Sequence, residues 1–517
     1  MVGEPDRGIN LGDKVDRAVH ELGDDLFARG FLLAPNAYPC PLPGWRTEYL
    51  DTLTLHLHPF TAACRATASE TSLVLIGHAF DGDRPQTTNA AVADRLATYL
   101  AHSPGAFYEA LDNLNGRWTL IYRRSERSGW RVTSDATGMR AVFHQIDGPV
   151  VASHAALAAL VLGRQGPSVG FARFTKYGFP GRMTPYGEIV LLPPNQELEV
   201  SSGALTRIWP RHDLAPLTAE QAAAELLAHL QCVADAIRTR FPSPLVSVTA
   251  GVDSRATLAG LRLVTDHARY FTYTRHPTTH ARQASHDVDW SAELSDELQG
   301  KALASGIKAD AVDVSVSLAL AARFGLRHEV LQLGPGHDRW ELNTYHRHQS
   351  AAVSAYQTIA DPAADAHIRS NLPEIGRCFY KTSRKVTDEP NSGAMMTDVY
   401  LRPRRAALPV EVELEMSAAF DDFRQATSFS SASQLRSALD LQYWEHRMGA
   451  WHALVAIESD PAFETFSLFN CRRILDAMLA APEPDRAAGR VLHELITIAW
   501  PDLMEIPINP RTPAATA

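Results

Sequence analysis

The sequence predicts an α/β protein of two domains, a strand-rich first half and a second half in which helices flank a parallel sheet. Its 517 residues exceed the roughly 250–300 at which a single hydrophobic core stops growing. Residues 50–210 contain short strand-like runs punctuated by turn residues, whereas strands and helices alternate from residue 245 onward. Such alternation is typical of a doubly wound parallel sheet. We place the boundary in the segment WPRHDLAPLT at 209–218, which gives domains 1–210 and 211–517.

Short runs of β-branched and aromatic residues define the first half. They predict strands at 73–76, 118–122, 130–133, 150–152 and 189–192. The apolar spacing at 90–101 and 155–162 predicts helices. This half is therefore expected to consist mainly of sheet.

A long helix is predicted to open the second half. Thr218 and Gln221 have the spacing of a capping box, and apolar residues recur at helical intervals as far as Arg240. Beyond it we predict strand 245–248, helix 254–263, strand 270–273, helix 314–324 and strand 328–333. Residues after about 415 are predicted to be mostly helical, and the tail 512–517 to be disordered.

Composition excludes several classes of protein. The net charge of −10 argues against electrostatic binding of nucleic acid. The five cysteines are scattered without a CxxC pair, so reduced thiols are expected. The N-terminus has no apolar signal region, and the longest apolar run is too short to cross a bilayer. We therefore expect a cytoplasmic protein that binds neither nucleic acid nor membrane.

The segment LVSVTAGVDSRATLAGL at 245–261 joins a strand to a helix through a polar loop. In a doubly wound sheet, ligands bind beyond the carboxyl ends of the strands. Gly251 permits close backbone approach, Thr249 and Ser254 can donate hydrogen bonds, and the free amides of a helix start favour phosphate. Asp253 would repel a phosphate unless a cation such as Mg²⁺ lies between them. The alternative is that Asp253 or Ser254 merely caps the helix, and the residues alone leave both interpretations open.

The loop TAGVDSR resembles the SGGxDS pyrophosphate loop of the asparagine synthetase and β-lactam synthetase family. Thr replaces its first Ser, and Ala replaces its first Gly. The resemblance implies an ATP-pyrophosphatase domain whose nucleotide-binding residues are Thr249, Gly251, Asp253, Ser254 and Arg255.

Further landmarks of that family follow in order. The run FTY ending at Tyr273 resembles the strand whose end faces adenine, which adds Tyr273 to the nucleotide site. The stretch from Asp313 resembles an Asp-initiated helix of the family. The stretch SNLPEIGR at 370–377 stands where relatives carry a GEGSDE-like loop. The resemblance therefore implies that Glu374 and Asp253 together hold Mg²⁺.

The first half is similar to the glutaminase domain of the same family. The segments that carry the resemblance are NGRW at 115–118, SDATGMR at 134–140, ASH at 152–154 and LPPN at 192–195. They imply an αββα sandwich. Glutaminase chemistry, however, requires an N-terminal Cys whose own amine acts as the base, and here Val2 and Gly3 follow Met1. Because Cys40 has no adjacent free amine, we expect a structural platform without glutaminase activity.

Two catalytic positions of the family are also altered. Asn371 stands where relatives carry a Glu or Tyr that orders or deprotonates the amine. Glu458 is the candidate for that task, with a buried ion pair as the alternative.

Relatives also use a late Lys to stabilise the charge that develops during adenylation. No Lys follows Lys385, which leaves Arg511 and Lys381 as candidates, with Arg377 near the second loop as a further one. For Arg511 the alternative is an ordinary surface arginine.

The polar insert at 275–310 is interpreted as a lid or a docking surface for a carrier or peptide, or else as a disordered loop. The histidines at 276, 280, 286, 346 and 348 lack the spacing of metal ligands and are interpreted as solvated.

The family resemblance, together with the absence of the N-terminal Cys, implies an AMP-forming ligase without glutaminase activity. ATP and Mg²⁺ would activate a small-molecule or peptide carboxylate as its acyl-adenylate, and a free or intramolecular amine would then give an amide or lactam. Natural-product or peptide biosynthesis is the expected setting, a lasso-type macrolactam synthetase being one possibility. The alternative is a non-catalytic protein of the same fold that binds a nucleotide or a partner, which Asn371 and the missing late Lys favour.

Overall fold

The computed structural model describes residues 10–40, 42–85, 87–164, 166–167, 179–275, 289–293, 307–334, 341–345, 352–402 and 408–511. Within them lie two six-stranded antiparallel sheets, a five-stranded parallel sheet and many helices. The α/β class predicted from the sequence is confirmed.

The two antiparallel sheets lie in the first half. Their strands are β1 (Phe31–Pro35), β2 (Arg46–Leu50), β3 (Leu53–Leu57), β4 (Ala63–Ala68), β5 (Thr71–Asp81), β6 (Leu114–Arg123), β7 (Arg131–Ser134), β8 (Phe143–Gln145), β9 (Val151–Ala152), β10 (Ile189–Leu191), β11 (Gln196–Glu199) and β12 (Leu205–Arg207). The first sheet has the order β10-β8-β9-β1-β3-β2, and the second has the order β12-β11-β7-β6-β5-β4. Strands β1 to β4, β8, β11 and β12 were not predicted from the sequence.

The period of two along β5 shows how the layers pack. Val74 and Ile76 enter the core between the two sheets, together with Phe31 of the first sheet. Leu73 and Leu75 point the other way, into a core shared with the helix Asn89–His102. Successive side chains of a strand alternate between its faces, so each sheet has an inner and an outer apolar face.

Helices cover the outer faces and complete an αββα sandwich. They are α1 (Leu11–Leu22), α2 (Asn89–His102), α3 (Pro104–Asp112) and α4 (Ala155–Val161). α2 packs on β4 and β5 of the second sheet, whereas α4 packs on β8, β9 and β10 of the first. The predicted helices at 90–101 and 155–162 are confirmed within one residue at each end.

The second half contains the parallel sheet. Its strands are β13 (Leu245–Ser247), β14 (Arg269–Thr274), β16 (His328–Gln332), β17 (Ala366–Ile368) and β18 (Glu464–Phe466), and β15 (Asp289–Glu293) pairs separately with β19 (Pro510–Arg511). The sheet order is β16-β14-β13-β17-β18, with every neighbouring pair parallel. The chain moves outward from β13 in one direction, then returns to β13 and moves outward in the other. This reversal is the switch point of a doubly wound sheet.

The described residues after about 415 are mostly helical, as predicted, and the second half as a whole contains many helices. They are α5 (Ala219–Arg240), α6 (Val252–Gly260), α7 (Ile307–Phe324), α8 (Glu341–Thr344), α9 (Val353–Gln357), α10 (Phe379–Arg384), α11 (Gly393–Leu401), α12 (Val410–Ala426), α13 (Phe429–Ala432), α14 (Ala438–Leu441), a π-helix at Gln442–His452, α15 (Ala453–Ser459), α16 (Arg472–Leu479), α17 (Glu483–Ala487) and α18 (Arg490–Ala499); 3₁₀ turns lie at Gly23–Asp25, Arg262–His267, Pro373–Arg377 and Pro501–Glu505. The capping box of Thr218 and Gln221 is present at the start of α5. α7 begins well before Asp313, so the expectation of a helix initiated by that residue is wrong.

Buried ion pairs join the two halves. Arg117 holds both carboxylate oxygens of Asp460, with Nη2 at 2.8 Å from Oδ2. Arg140 Nη2 lies 2.8 and 3.0 Å from the two oxygens of Glu464. Burial raises the pKa of Glu464, but the guanidinium groups of Arg140, Arg117 and Arg29 outweigh it and lower that pKa to about 2. The sandwich and the parallel sheet therefore share a charged and desolvated contact.

Among the described helices, none combines the length and the apolar character needed to cross a membrane.

Candidate functional site

The candidate site lies where β13 and β17 end side by side. Val246 pairs with Ile368, so the loops that follow these two strands leave the sheet at the same edge. One is the loop at 248–251, which leads into α6, and the other is the loop at 369–377. Ligands of doubly wound sheets bind at such a crevice.

The first loop is closed by its two hydroxyl residues. The Thr249 N–H donates to Ser254 Oγ at 3.0 Å, and the two hydroxyl oxygens lie 2.8 Å apart. The N-cap of α6 is Gly251, and no side chain caps the helix. The alternative in which Asp253 or Ser254 caps this helix is therefore wrong, and the amides of the first turn lack a side-chain acceptor at the N-cap.

Gly251 is not required by the packing of the chain itself. Its φ is −75°. A Cβ added there would meet only Thr249 Oγ1 at 3.8 Å and Asn509 Oδ1 at 3.9 Å, which are ordinary contacts. A ligand that approaches the backbone at Gly251 closely would explain the glycine, because any side chain there would be in its way.

Asp313 reaches the same loop from α7. Its Oδ1 accepts a hydrogen bond from the Ala250 N–H at 2.8 Å. Burial raises the pKa of Asp313 to about 6, although the bond from Ala250 acts in the opposite direction. The buried Asp313 carboxyl thus accepts the hydrogen bond of the Ala250 amide in the first loop, and its pKa is not far below neutral pH.

The two carboxylates expected to share Mg²⁺ are engaged with other groups. Asp253 Oδ2 accepts from Arg377 Nη2 at 2.8 Å. Glu374 accepts from the Leu372 N–H at 2.8 Å and from Asn371 Nδ2 at 3.4 Å. In the described ranges, no group of three or more His, Cys, Asp or Glu side chains is arranged as metal ligands. Each of these carboxylates therefore has a partner within the chain, and a Mg²⁺ ion held jointly by Asp253 and Glu374 stays a prediction.

The second loop is held in an uncommon backbone conformation. Leu372 has a φ of 95° and Cys378 a φ of 50°, so left-handed residues flank the 3₁₀ turn Pro373–Arg377 on both sides. Non-glycine residues in this region cost energy and concentrate at functional loops. The carboxylate of Glu374 supports the turn through the Leu372 N–H.

Glu458 lies on α15 next to this loop and is 7% exposed. Burial raises the pKa of Glu458 to about 7, against the opposing effects of the Arg369 guanidinium and a hydrogen bond from the Ala352 backbone. Within the described part of the chain, its Oε1 has no hydrogen-bond partner. Arg369 also donates from Nε to Asn371 Oδ1 at 2.6 Å. Glu458 is thus a buried carboxyl whose pKa lies near 7. The Arg369 guanidinium interacts electrostatically with Glu458 and donates a hydrogen bond to Asn371 of the second loop.

Two predicted site residues have other partners. The Arg255 guanidinium is fully buried and donates to the backbone oxygens of Leu503, Ile506 and Pro507, so it anchors the C-terminal segment. Lys381 pairs with Glu483 at 2.9 Å and Glu389 at 3.4 Å. Burial lowers the pKa of Lys381, but these two carboxylates outweigh it and raise the pKa.

Tyr273 is half-buried on β14, at the margin of an apolar cluster that contains Phe271 and Tyr356. For Arg511 only the backbone is described, and it pairs with Asp289. The preceding Asn509 donates its N–H to the Ala250 oxygen at 3.1 Å, which brings this segment to the first loop. Of the insert at 275–310, the structure describes only Arg275, β15 and the start of α7. The five loop histidines and the tail at 512–517 also lie outside the described residues.

Sequence reasoning assigned no role to Asp313 or Arg369 and missed Ser370. The Ser370 hydroxyl is buried and has no hydrogen-bond partner among the described residues. Arg369 and Ser370 directly follow β17, and a prediction of this strand would have placed them at the site. With only three residues, β17 gives no periodic pattern in the sequence. Burial raises the pKa of the Cys40 thiol, which disfavours the reactive thiolate, and the expected lack of glutaminase activity stays a prediction.

Comparisons with known proteins give little further guidance. No family model matches the sequence, and no curated protein matches it. Twenty-three chains of solved structures give a match. One is a glutamine phosphoribosylpyrophosphate amidotransferase from B. subtilis in complex with ADP and GMP, 12% identical over 53% of this chain and 76% of that chain, with a TM-score of 0.23. Another is an allosteric regulatory enzyme of purine biosynthesis, 10% identical over 53% and 74%, with a TM-score of 0.24. Likenesses this partial establish neither a shared fold nor a shared activity.

Proposed function

We propose that this chain is an ATP-dependent, AMP-forming synthetase that joins a carboxylate to an amine. One observation carries the proposal. At the switch point of the parallel sheet, the first loop leads into α6, whose N-terminus has no side-chain cap, and the polar second loop lies beside it. Phosphate is the ligand class that such a helix start favours. In this proposal the substrates are small-molecule or peptide carboxylates and amines.

The first loop binds the nucleotide in this proposal. The amides of the first turn of α6 and the hydroxyls of Thr249 and Ser254 contact the phosphates, and Gly251 allows the close approach. Tyr273, at the end of the neighbouring strand, is proposed for the adenine on the strength of the family resemblance.

The reaction would proceed in two steps. A substrate carboxylate oxygen attacks the α-phosphorus and pyrophosphate leaves, which gives the acyl-adenylate. The amine nitrogen then attacks the acyl carbon, AMP leaves, and the amine proton passes to Glu458. A pKa of about 7 suits a general base at neutral pH, which is the support for this role.

MgATP is the substrate in this proposal, so the metal enters with the phosphates. The shared site on Asp253 and Glu374 that the family resemblance implies is not used in these steps, because Arg377 engages Asp253 Oδ2 and the Leu372 N–H engages Glu374 Oε2. Arg377 supplies positive charge at this position as a guanidinium fork.

A second candidate is a non-catalytic protein that binds a nucleotide or a partner. The engagement of Asp253 by Arg377 favours it, as does the use of Arg255 to anchor the C-terminal segment. Glu458 argues against it, since a buried carboxyl with a raised pKa beside the polar second loop is typical of a catalytic site.

Pyrophosphate exchange into ATP tests the proposal. The full chain is incubated with MgATP, labelled pyrophosphate and a panel of carboxylates, and the products of the complete reaction are identified. We expect exchange with at least one carboxylate, and AMP and pyrophosphate as products once an amine is added. ADP and phosphate as stoichiometric products would refute the mechanism, and a complete absence of exchange with MgATP still bound would favour the non-catalytic candidate.

Gly251→Ala tests the nucleotide loop separately. Because a Cβ there has room within the chain, we expect normal folding but at least a tenfold loss of MgATP affinity by calorimetry, equivalent to about 1.4 kcal/mol. Gly105→Ala is the matched control, since a Cβ at Gly105 meets nothing within 4 Å and this residue lies in α3 of the sandwich. Equal MgATP affinity of both variants and the wild type would show that the loop is misassigned.

A further inference from the structure

A group of arginine and aromatic side chains lies next to the second loop, and we call it the Arg447 cluster. Its members are Phe379, Tyr380 and Arg384 of α10 together with Tyr443 and Arg447 of the π-helix. Phe379 and Tyr443 have ring centroids 4.6 Å apart, and Tyr380 meets Tyr443 edge-on at 5.4 Å. None of these side chains takes part in the proposed reaction steps.

The positive charge of this cluster is not balanced by a carboxylate. The Arg447 guanidinium lies 5.8 Å from the Phe379 ring, 5.9 Å from the Tyr443 ring and 4.9 Å from the Trp451 ring. Arg384 lies 5.9 Å from the same Phe379 ring and donates to the Tyr400 oxygen at 2.6 Å. Among the described residues, neither arginine has an acidic partner within ion-pair distance. Two neighbouring cations in a largely apolar setting are costly unless an anion joins them.

Two polar atoms of the cluster are also without partners. In the part of the chain that the structure describes, the buried Tyr380 hydroxyl and Arg447 Nε have no hydrogen-bond partner. Buried polar atoms in native proteins are nearly always hydrogen-bonded, so each exception needs a reason. Both atoms can donate, which indicates an acceptor that the chain itself does not supply.

The cluster adjoins the proposed catalytic site. α10 begins two residues after Arg377, the partner of Asp253. Burial raises the pKa of Tyr443, and the negative charge of Glu374 acts on it in the same direction. The π-helix that carries Tyr443 and Arg447 is a rare form that is frequent at functional sites.

From the uncompensated arginines, the orphaned donors and the aromatic walls, we propose that the Arg447 cluster binds the carboxylate of an organic acid substrate. The planar fork of Arg447 can hold a carboxylate with two parallel hydrogen bonds, and the Tyr380 hydroxyl can donate a third. The rings of Phe379, Tyr443 and Trp451 then favour a substrate whose carboxylate is attached to an aromatic or apolar body. The proposed function enters only in naming this acid as a substrate, and binding itself requires no nucleotide.

Calorimetric titration of the full chain with phenylacetate, without nucleotide, tests the proposal. We expect binding at millimolar affinity or better, and no binding of phenethylamine, which has the same ring and the opposite charge. Arg447→Met keeps most of the side-chain volume and should weaken phenylacetate binding at least tenfold, because a charge-assisted hydrogen bond is lost. Arg473→Met is the matched control, since Arg473 is an exposed arginine paired with Asp83, and it should bind phenylacetate as the wild type does.

Tyr380→Phe removes only one hydroxyl and tests the same site should Arg447→Met not fold, with a several-fold loss expected. Inorganic phosphate is titrated as well, because a phosphate could occupy the same cations. Phosphate binding that Arg447→Met abolishes, without any phenylacetate binding, would overturn the organic acid in favour of a phosphate site. Phenylacetate binding that is absent in the wild type or unchanged in both variants would overturn the proposal. Binding lost in the variants while pyrophosphate exchange fails in the wild type would support this site and count against the proposed function alone.

Discussion

Asp313 shows how one side chain sets the state of the first loop. It lies 63 positions from Ala250 in the sequence, yet its carboxylate accepts the hydrogen bond of that amide. An ionised Asp313 is a buried negative charge beside a loop proposed to bind phosphate, whereas the protonated form is neutral. Its protonation therefore affects both stability and the attraction of the loop for anions.

We predict that Asp313→Asn makes the protein more stable than the wild type at neutral pH. The pKa of about 6 in the folded protein exceeds the ordinary Asp value of 3.8, so the stabilising effect of this carboxyl is complete below pH 3.8 and is lost as the pH rises through 6. The variant keeps an oxygen acceptor for Ala250 and does not titrate. The difference in unfolding free energy should grow between these two pH values to about 2–3 kcal/mol. Urea unfolding of both proteins at pH 4, 5, 6 and 7 measures it, and a constant difference across this range would contradict the prediction.

Among the elements, the turn Pro373–Arg377 has a structural support that the sequence did not indicate. The family resemblance implied that Glu374 is a metal ligand, whereas the structure has its carboxylate accept the N–H of Leu372, a buried residue with a φ of 95°. The carboxylate thus holds a backbone conformation that few non-glycine residues adopt. The turn ends at Arg377 and positions its guanidinium to form an ion pair with Asp253 at the start of α6.

We expect Glu374→Ala to lower the unfolding free energy by about 1–3 kcal/mol, because the Leu372 N–H would lose its acceptor in a buried setting. The loss should be equal in Mg²⁺ and in EDTA, since the role of Glu374 is to support the turn. Glu188→Ala is the matched control, as Glu188 forms an exposed pair with Arg164 and its loss should change stability little. A wild type that Mg²⁺ stabilises while Glu374→Ala is not stabilised would restore the metal role instead.

At the scale of the whole molecule, the sandwich and the parallel sheet are coupled by charge. Arg117, Arg140 and Arg29 surround Asp460 and Glu464, and all five side chains are buried ion-pair partners at the join. Glu464 lies on β18, an edge strand of the parallel sheet, so the pairs tie that sheet directly to the sandwich. We therefore expect the two halves to unfold together.

Glu464→Gln should destabilise the protein by about 3–5 kcal/mol, because it leaves buried guanidinium groups without their carboxylate. By calorimetry, the single unfolding transition of the wild type should broaden or divide into two. Asp83→Asn is the matched control, because Asp83 and Arg473 form an exposed pair between the same halves. Two separate transitions already present in the wild type would contradict this coupling.

Local sequence pattern sufficed for the elements whose signals lie within one segment. The capping box and apolar spacing of α5 predicted its start at Ala219 and its end at Arg240, because cap and helix face are made by neighbouring residues. The loop after β13 was likewise found from its own residues, since Thr249, Gly251 and Ser254 all lie within six positions. The α/β class followed from the order of such segments.

Long-range pairing decided the rest. β17 and β18 have three residues each, too few for a periodic signal, and they are strands because β13 and β17 offer them parallel edges. Their pairing places the second loop beside the first and brings Arg377 to Asp253 across 124 positions. It also carries Arg369 toward Glu458, whose pKa depends on burial by distant segments. The residues of the first loop can thus be identified from local pattern alone, whereas the charges that face this loop depend on the tertiary structure, because charge pairing and desolvation depend on distance in space.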